Sequence, residues 1–178
     1  MADSDPLDPP SRFVMDWIQR LSASLPKPTR ALDVAMGRGR HAFALAEAGF
    51  EVFGVDRRVD AVTEARRRAR ASGVRLHAWC GDLTQYSLPD QTFALVVVTR
   101  YLQRDLFGAL ADALVPGGVL LYETFTEKQR ALGRGPTSPD HLLEPGELRT
   151  AMPNLEIVHF EEVETPEALA RLVARKPS

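Results

Sequence analysis

Residues 31–56 constrain the fold more than any other stretch of the chain. A short apolar strand, Ala31-Leu32-Asp33-Val34, ends near an acid and runs into a turn carrying Gly37 and Gly39. A helix follows over 40–48, and a second strand, about 50–55, leads to another acid, Asp56. This is one β-turn-α-β unit, and sheets of parallel strands with helices on their faces grow from such units.

The unit is also shaped to hold a nucleoside. Glycines let the backbone pass close beneath a ligand without a Cβ clash. The new helix N-terminus offers free N–H groups, and Asp56 can accept both hydroxyls of a ribose. Gly37, Gly39 and Ala42 also spell the dinucleotide fingerprint, so the glycines alone do not choose the ligand. Asp33 does: it would repel a pyrophosphate, but would attract a ligand with an α-amino group and a sulfonium. Asp-x-x-x-Gly-x-Gly with Asp56 beyond it therefore points to S-adenosylmethionine (SAM) rather than NAD. The plainer alternative, a βα turn with an N-capping acid, does not account for the turn, helix and second acid together.

The remaining chain reads as further units of the same kind. Ser11 caps a helix whose Phe13, Val14, Trp17, Ile18 and Leu21 share one stripe, with Pro26 and Pro28 ending it. Asp60 is expected to cap a helix that Gly73 closes. Val74–Cys80 forms a strand ending at Gly81-Asp82. Phe93–Val98 is apolar on both faces, as a central parallel strand should be. Asp105 starts a helix with Leu106, Leu110, Ala113 and Leu114 inward. Pro116-Gly117-Gly118 turns into a strand over 119–122, and Pro145 opens a last helix that Met152-Pro153 stops. Strands near 155–162 and 169–175 have no helix between them and should pair as an antiparallel hairpin. The expected fold is α/β: a doubly wound, Rossmann-like sheet of seven mostly parallel strands closed by that hairpin. Residues 1–10 read as a disordered tail, and 11–178 as one domain.

Composition excludes several classes. The net charge is −2, so the surface as a whole is not built for nucleic acid or membrane. A single cysteine, Cys80, excludes an internal disulfide and fits a reducing compartment. No apolar run approaches the roughly 20 residues of a membrane span, and the acidic, proline-rich start does not resemble a signal peptide. Cytoplasm is the expected location. The four histidines lack metal-ligand spacing, so no metal site is expected.

Three segments in order resemble the class I SAM-dependent methyltransferases: Leu-Asp-Val-Ala-Met-Gly-Arg-Gly-Arg-His (32–41), Gly-Phe-Glu-Val-Phe-Gly-Val-Asp (49–56) and Pro-Gly-Gly-Val-Leu-Leu-Tyr-Glu-Thr-Phe (116–125). Within that superfamily the chain is similar to the small TehB-type, tellurite-resistance-like enzymes, with Met36 where these often carry cysteine or another small residue. The resemblance implies that Asp33 and the Gly37–Gly39 backbone hold the methionine end of SAM, and that Asp56 takes the ribose. It further implies that Asp82 and the Leu83 N–H meet the adenine, which Val55 and Leu83 flank. Arg100 would lie near the methionine end or the acceptor.

Methyl transfer from a sulfonium mainly needs alignment and exclusion of water; a base is needed only where the acceptor must first lose a proton. The expected strand ends offer Arg100, Tyr101 and Glu123 as candidate catalytic residues. Arg100 and Tyr101 would bind an anionic acceptor, and Glu123 is either a base or a partner of Arg100. The Asn-Pro-Pro-Tyr motif of amide and adenine N-methyltransferases is absent; Thr-Arg-Tyr-Leu stands there. Thr126–Glu144 is the one sizeable insertion and reads as an acceptor lid, with Gln129, Arg130, Arg134 and His141 on it. Its arginines suit a small acceptor such as a chalcogen oxyanion or a thiol. His41 should lie near the cofactor, with His77 and His159 structural. The arginines at 57, 58, 66, 67, 68, 70 and 75 read as a solvated face rather than an RNA surface, since Glu64 pairs with Arg68 at i,i+4 and no aromatics interleave. The rival readings are an RNA methyltransferase, a SAM-binding module without transfer chemistry, and an NAD(P)-dependent reductase. The last is disfavoured by Asp33 and by the missing Tyr-x-x-x-Lys pair.

Overall fold

The computed structural model describes residues 8–24 and 29–178. Its strands are β1 (Arg30–Val34), β2 (Glu51–Asp56), β3 (Leu76–Cys80), β4 (Phe93–Thr99), β5 (Leu114–Phe125), β6 (Glu156–Val163) and β7 (Leu169–Arg175). They form one sheet in the order β3-β2-β1-β4-β5-β7-β6. The first five pair in parallel, and β7 runs antiparallel between β5 and β6. The doubly wound α/β sheet with its closing hairpin is as the sequence reads.

Strand alternation sends side chains to two layers. Ala31, Leu95, Val97 and Leu121 meet α1 (Arg12–Ser24) and α2 (Arg40–Glu47) on one face. Leu32, Val34, Val96, Val98 and Tyr122 meet α4 (Phe107–Ala113) and α5 (Glu147–Thr150) on the other. α3 (Val59–Ser72) packs Val62 and Ala65 against Met36 and Ala78. β4 is buried at six of its seven positions, consistent with its central place. α1 buries Phe13, Val14, Ile18 and Leu21, the predicted stripe.

Several local expectations change. α3 begins one residue before Asp60, with Arg58 at its N-cap; Asp60 sits in the first turn, where it complements the dipole and pairs with Arg58 at 2.5 Å. Pro116-Gly117-Gly118 lies inside a long β5 rather than in a turn before it, and a register shift between Phe93 and Leu95 absorbs the irregularity. A 3-10 turn, Arg104–Leu106, precedes α4. The helix after Pro145 is a single turn starting at Glu147. Pro26, Pro28 and residues 1–7 lie outside the described residues; 8–10 have no regular secondary structure. No helix among the described residues is long and apolar enough to cross a membrane.

Candidate functional site

In an open α/β sheet, ligands bind beyond the carboxyl ends of the strands, where the strand order reverses. Here that point lies between β1 and β4. A cavity of about 480 Å³ opens there, between the β1–α2 turn (Ala35, Met36, Gly37, Arg38, Arg40), the end of β4 (Thr99, Arg100) and Arg58, Ala61 and Asp8. Its size falls within the roughly 300–1,000 Å³ of small-ligand sites.

The turn is built from left-handed residues: Ala35 at φ 53°, Gly37 at 56° and Gly39 at 89°. The two glycines adopt this at little cost, whereas Ala35 is strained, and such strain concentrates where function requires it. A Cβ on Gly37 would meet nothing within 4 Å, so the backbone is open to a ligand. Met36 N–H donates to the Val55 carbonyl, and the Met36 side chain turns inward over Gly54. A Cβ at Gly54 would lie 2.2 Å from the Met36 sulfur, so the bulky departure at 36 is matched by the glycine beneath it.

Asp56 secures this turn. One carboxylate oxygen accepts from Gly37 N–H at 2.8 Å and the other from Arg58 N–H at 2.8 Å. Asp33 is different. It is 1% exposed, and neither oxygen has a hydrogen-bond partner. Burial pushes its pKa up to about 7; the α2 amide of Ala42 and the Arg40 guanidinium oppose this without completing a hydrogen bond. Asp33 is not among the residues lining the cavity. A buried, unpaired carboxylate under an open glycine turn fits a cofactor with cationic centres.

Beyond β3, Asp82 accepts from the Thr84 amide at 2.9 Å and its hydroxyl at 2.7 Å, which lowers its pKa. Leu83 packs half-buried against the core, as do Trp79 and Tyr101. Tyr101 lies toward Asp82, Arg57 and Asp56: burial chiefly, then Asp82, raises its pKa. It therefore lies on the Asp56 and Asp82 side of the cleft. Arg100, at φ 51°, is held by its amide to the Glu123 carbonyl at 2.8 Å. Its guanidinium pairs with Glu167 at 2.8 Å and faces Asp8 at 3.9 Å.

Glu123 does not pair with Arg100. It is 3% exposed and bound by Arg171 at 2.7 Å, which β7 carries directly opposite it. His41 is buried between α1 and β4: Ser11 N–H donates to Nε2 at 3.0 Å, and Nδ1 lies 3.1 Å from Thr99 Oγ1. With Nε2 accepting, the ring proton sits on Nδ1. Burial first, then Arg40 and Arg100, lowers its pKa to about 3.

The insertion at 126–144 stands apart from this cavity. Gln129 is 0% exposed; its amide donates to Arg134 O and its carbonyl accepts from Ala168 N–H. The Arg134 guanidinium holds the Pro166 carbonyl, and Lys128 pairs with Glu164. Gln129, Arg134 and His141 do not line the cavity at the β1/β4 switch point. The segment contributes Glu127, Arg130 and Glu144 to a second cavity of about 600 Å³, where Arg104 binds Glu147 at 2.6 Å. On α3, Arg66 donates to the Ala78 carbonyl, and Arg67 and Arg68 bind Glu64 at 2.8 and 2.7 Å. No cluster of His, Cys, Asp and Glu suited to a metal occurs among the described residues. The sequence reading missed Arg40 and Asp8. Arg40 sat in the glycine motif as an arginine next to His41, which was the available signal; Asp8 gave none.

Residues 31–118 match the methyltransferase domain family. The chain is 31% identical over 116 residues to a Bacillus subtilis (strain 168) protein named as a methyltransferase, YqeM, covering 60% of this chain and 47% of that one. It is 27% identical over 154 residues to a ubiquinone biosynthesis O-methyltransferase of Bordetella avium (strain 197N), covering 75% and 64%. The chain thus spans about half to two thirds of the length of these relatives. TehB from Haemophilus influenzae superposes with a TM-score of 0.71 at 15% identity, over 89% of this chain and 61% of that one. It is one of many such structures, SAM-dependent methyltransferases among them, so the fold is common to the wider group and not particular to TehB.

Proposed function

We infer that this chain is a SAM-dependent methyltransferase acting on a small-molecule acceptor, with residues 11–178 forming its one catalytic domain. The observation that carries this reading is the cavity at the β1/β4 switch point, underlain by a glycine turn whose buried Asp33 carboxylate has no partner inside the fold. SAM is the cofactor, and it supplies a methyl group already activated on a sulfonium. The Gly37–Gly39 backbone and the field of Asp33 hold its methionine end, Asp56 the ribose, and Asp82 with the Leu83 N–H the adenine.

The protein's own groups then bind, orient and exclude water. Glu123 is locked to Arg171, and both ring nitrogens of His41 are engaged, so neither is placed to take a proton from an acceptor. This favours an acceptor that is nucleophilic as it arrives, a thiolate or a chalcogen oxyanion, with Arg100 aligning it. The motif spelling favours the TehB type. The α3 arginines hold the Ala78 carbonyl and Glu64 on a solvated face, which favours a small acceptor over nucleic acid.

The test is transfer from radiolabelled SAM into a cell extract separated into volatile, small-molecule, protein and RNA fractions. Label is expected in the volatile or small-molecule fraction. Label in RNA alone, or no transfer into any fraction, overturns the reading.

A further inference from the structure

The described part of the chain before α1 runs across the mouth of the cofactor cavity, held at three points. Ser11 N–H bonds His41, the Arg40 guanidinium reaches the Pro9 carbonyl at 3.4 Å, and Asp8 faces Arg100 at 3.9 Å. Four arginines line this cavity (Arg38, Arg40, Arg58 and Arg100) against one lining carboxylate, that of Asp8. Arg58 is taken up by Asp60, and Glu167 holds one guanidinium nitrogen of Arg100 at 2.8 Å while the other faces Asp8. Arg40 and Arg100 repel each other, and Asp8 is the cavity-lining acid that acts on both. A site that has to accept a sulfonium would not gather guanidinium groups unless a negative group also enters it.

We propose that Arg40 and Arg100 form an anion subsite at the cavity mouth, and that Asp8 is its built-in occupant, displaced when a carboxylate or another small oxyanion of a ligand enters. The inference rests on the cofactor reading above. The incoming anion has two possible sources: the α-carboxylate of the cofactor, or an oxyanion on the acceptor. In either case Asp8 competes with it. The Asp8 side chain is 78% exposed, and an exposed pair of this kind is worth at most about fivefold in affinity. Asp8 therefore sets a threshold and does not seal the site.

The experiment compares wild type with Asp8→Asn by calorimetric titration of S-adenosylhomocysteine and of 5′-methylthioadenosine, which keeps the nucleoside but lacks the carboxylate. Inorganic phosphate is tested in parallel by the rise it causes in Tm. If the cofactor is the source, Asp8→Asn tightens S-adenosylhomocysteine about two- to fivefold and leaves 5′-methylthioadenosine unchanged. If the acceptor is the source, both nucleosides are unchanged and phosphate stabilises Asp8→Asn more than wild type. In each case adding Arg100→Gln to Asp8→Asn abolishes the gain. Equal tightening of both nucleosides, or no change with any of the three ligands, overturns the inference while the cofactor reading stands. Failure of wild type to bind either nucleoside overturns both.

Discussion

Asp33 and His41 are buried ionisable groups whose titrations run in opposite directions. Asp33 has a folded pKa of about 7 against an ordinary 3.8, so its protonated form favours the fold. That contribution is whole below about pH 4 and is lost as pH rises to about 7. His41 is depressed from 6.5 to about 3, so its contribution is whole above about pH 6.5 and is lost as pH falls toward 3. Between about pH 4 and 6.5 the two slopes oppose each other. Asp33→Asn removes one of them. Its stability relative to wild type should therefore climb between about pH 4 and 7 and be flat outside that window, as read from denaturant melts at a series of pH values. A difference that does not vary with pH would show that Asp33 stays ionised in the apo fold. Asp56 makes a second prediction at this scale. Because its carboxylate fixes the Gly37 and Arg58 amides and takes the ribose in the proposed site, Asp56→Ala should weaken S-adenosylhomocysteine by at least about tenfold, as expected for lost hydrogen bonds to a charged group. Unchanged calorimetric affinity would remove Asp56 from the site.

At the scale of elements, the legible parts were those where one letter carries a backbone requirement or a local period. Gly37 and Gly39 announced the turn, the α1 stripe announced its buried face, and the apolar run at 93–98 announced a central strand. Ala35 adopts the same left-handed region, and its letter gives no sign of it. Partners distant in sequence were illegible for a related reason. Glu123 meets Arg171, and Gln129 meets Ala168, only once β7 has inserted beside β5. Gln129 also shows what the insertion is. A buried amide that bonds the segment to itself and to the β7 approach makes an anchored loop, so Gln129→Leu should cost about 1–3 kcal/mol by leaving the Ala168 amide unpaired. Hydrogen exchange should then quicken across 126–144 and 164–168, whereas His141→Ala should leave both stability and exchange unchanged; protection that survives Gln129→Leu would show that the Gln129 amide does not anchor the segment. The α3 arginines divide in the same way. Arg66→Glu loses the Ala78 carbonyl contact and should lower Tm, while Arg70→Glu, at an exposed position, should alter neither Tm nor methyl transfer. A large loss of transfer in Arg70→Glu would return RNA as the substrate.

Across the whole molecule, the parallel half of the sheet and its antiparallel hairpin are joined by one charged ladder. Glu123 on β5, Arg171 on β7 and Glu161 on β6 are register partners across three strands. Arg171 reaches Glu123 at 2.7 Å and Glu161 at 3.0 Å. α1 covers this ladder: the Arg171 guanidinium lies 5.5 Å from the Phe13 ring centre, and Phe13 and Trp17 both lie against His159 of β6. Ser11 immediately precedes the same helix, and its amide binds His41, which bonds Thr99 at the end of β4. The hairpin, α1 and the cavity mouth are thus one connected structure, and its least replaceable member is Arg171. Removing it alone leaves Glu123 buried and unpaired, a change that typically costs about 3–5 kcal/mol. Replacing both partners with apolar groups removes the buried charge as well as the attraction, so the two effects should largely cancel. Arg171→Met is therefore expected to lower stability sharply and to weaken S-adenosylhomocysteine binding through α1 and Ser11. Glu123→Leu combined with Arg171→Met should recover most of both. If the double variant is as unstable as Arg171→Met alone, the ladder holds the hairpin through shape and packing around Phe13, and not through the charge on Glu123.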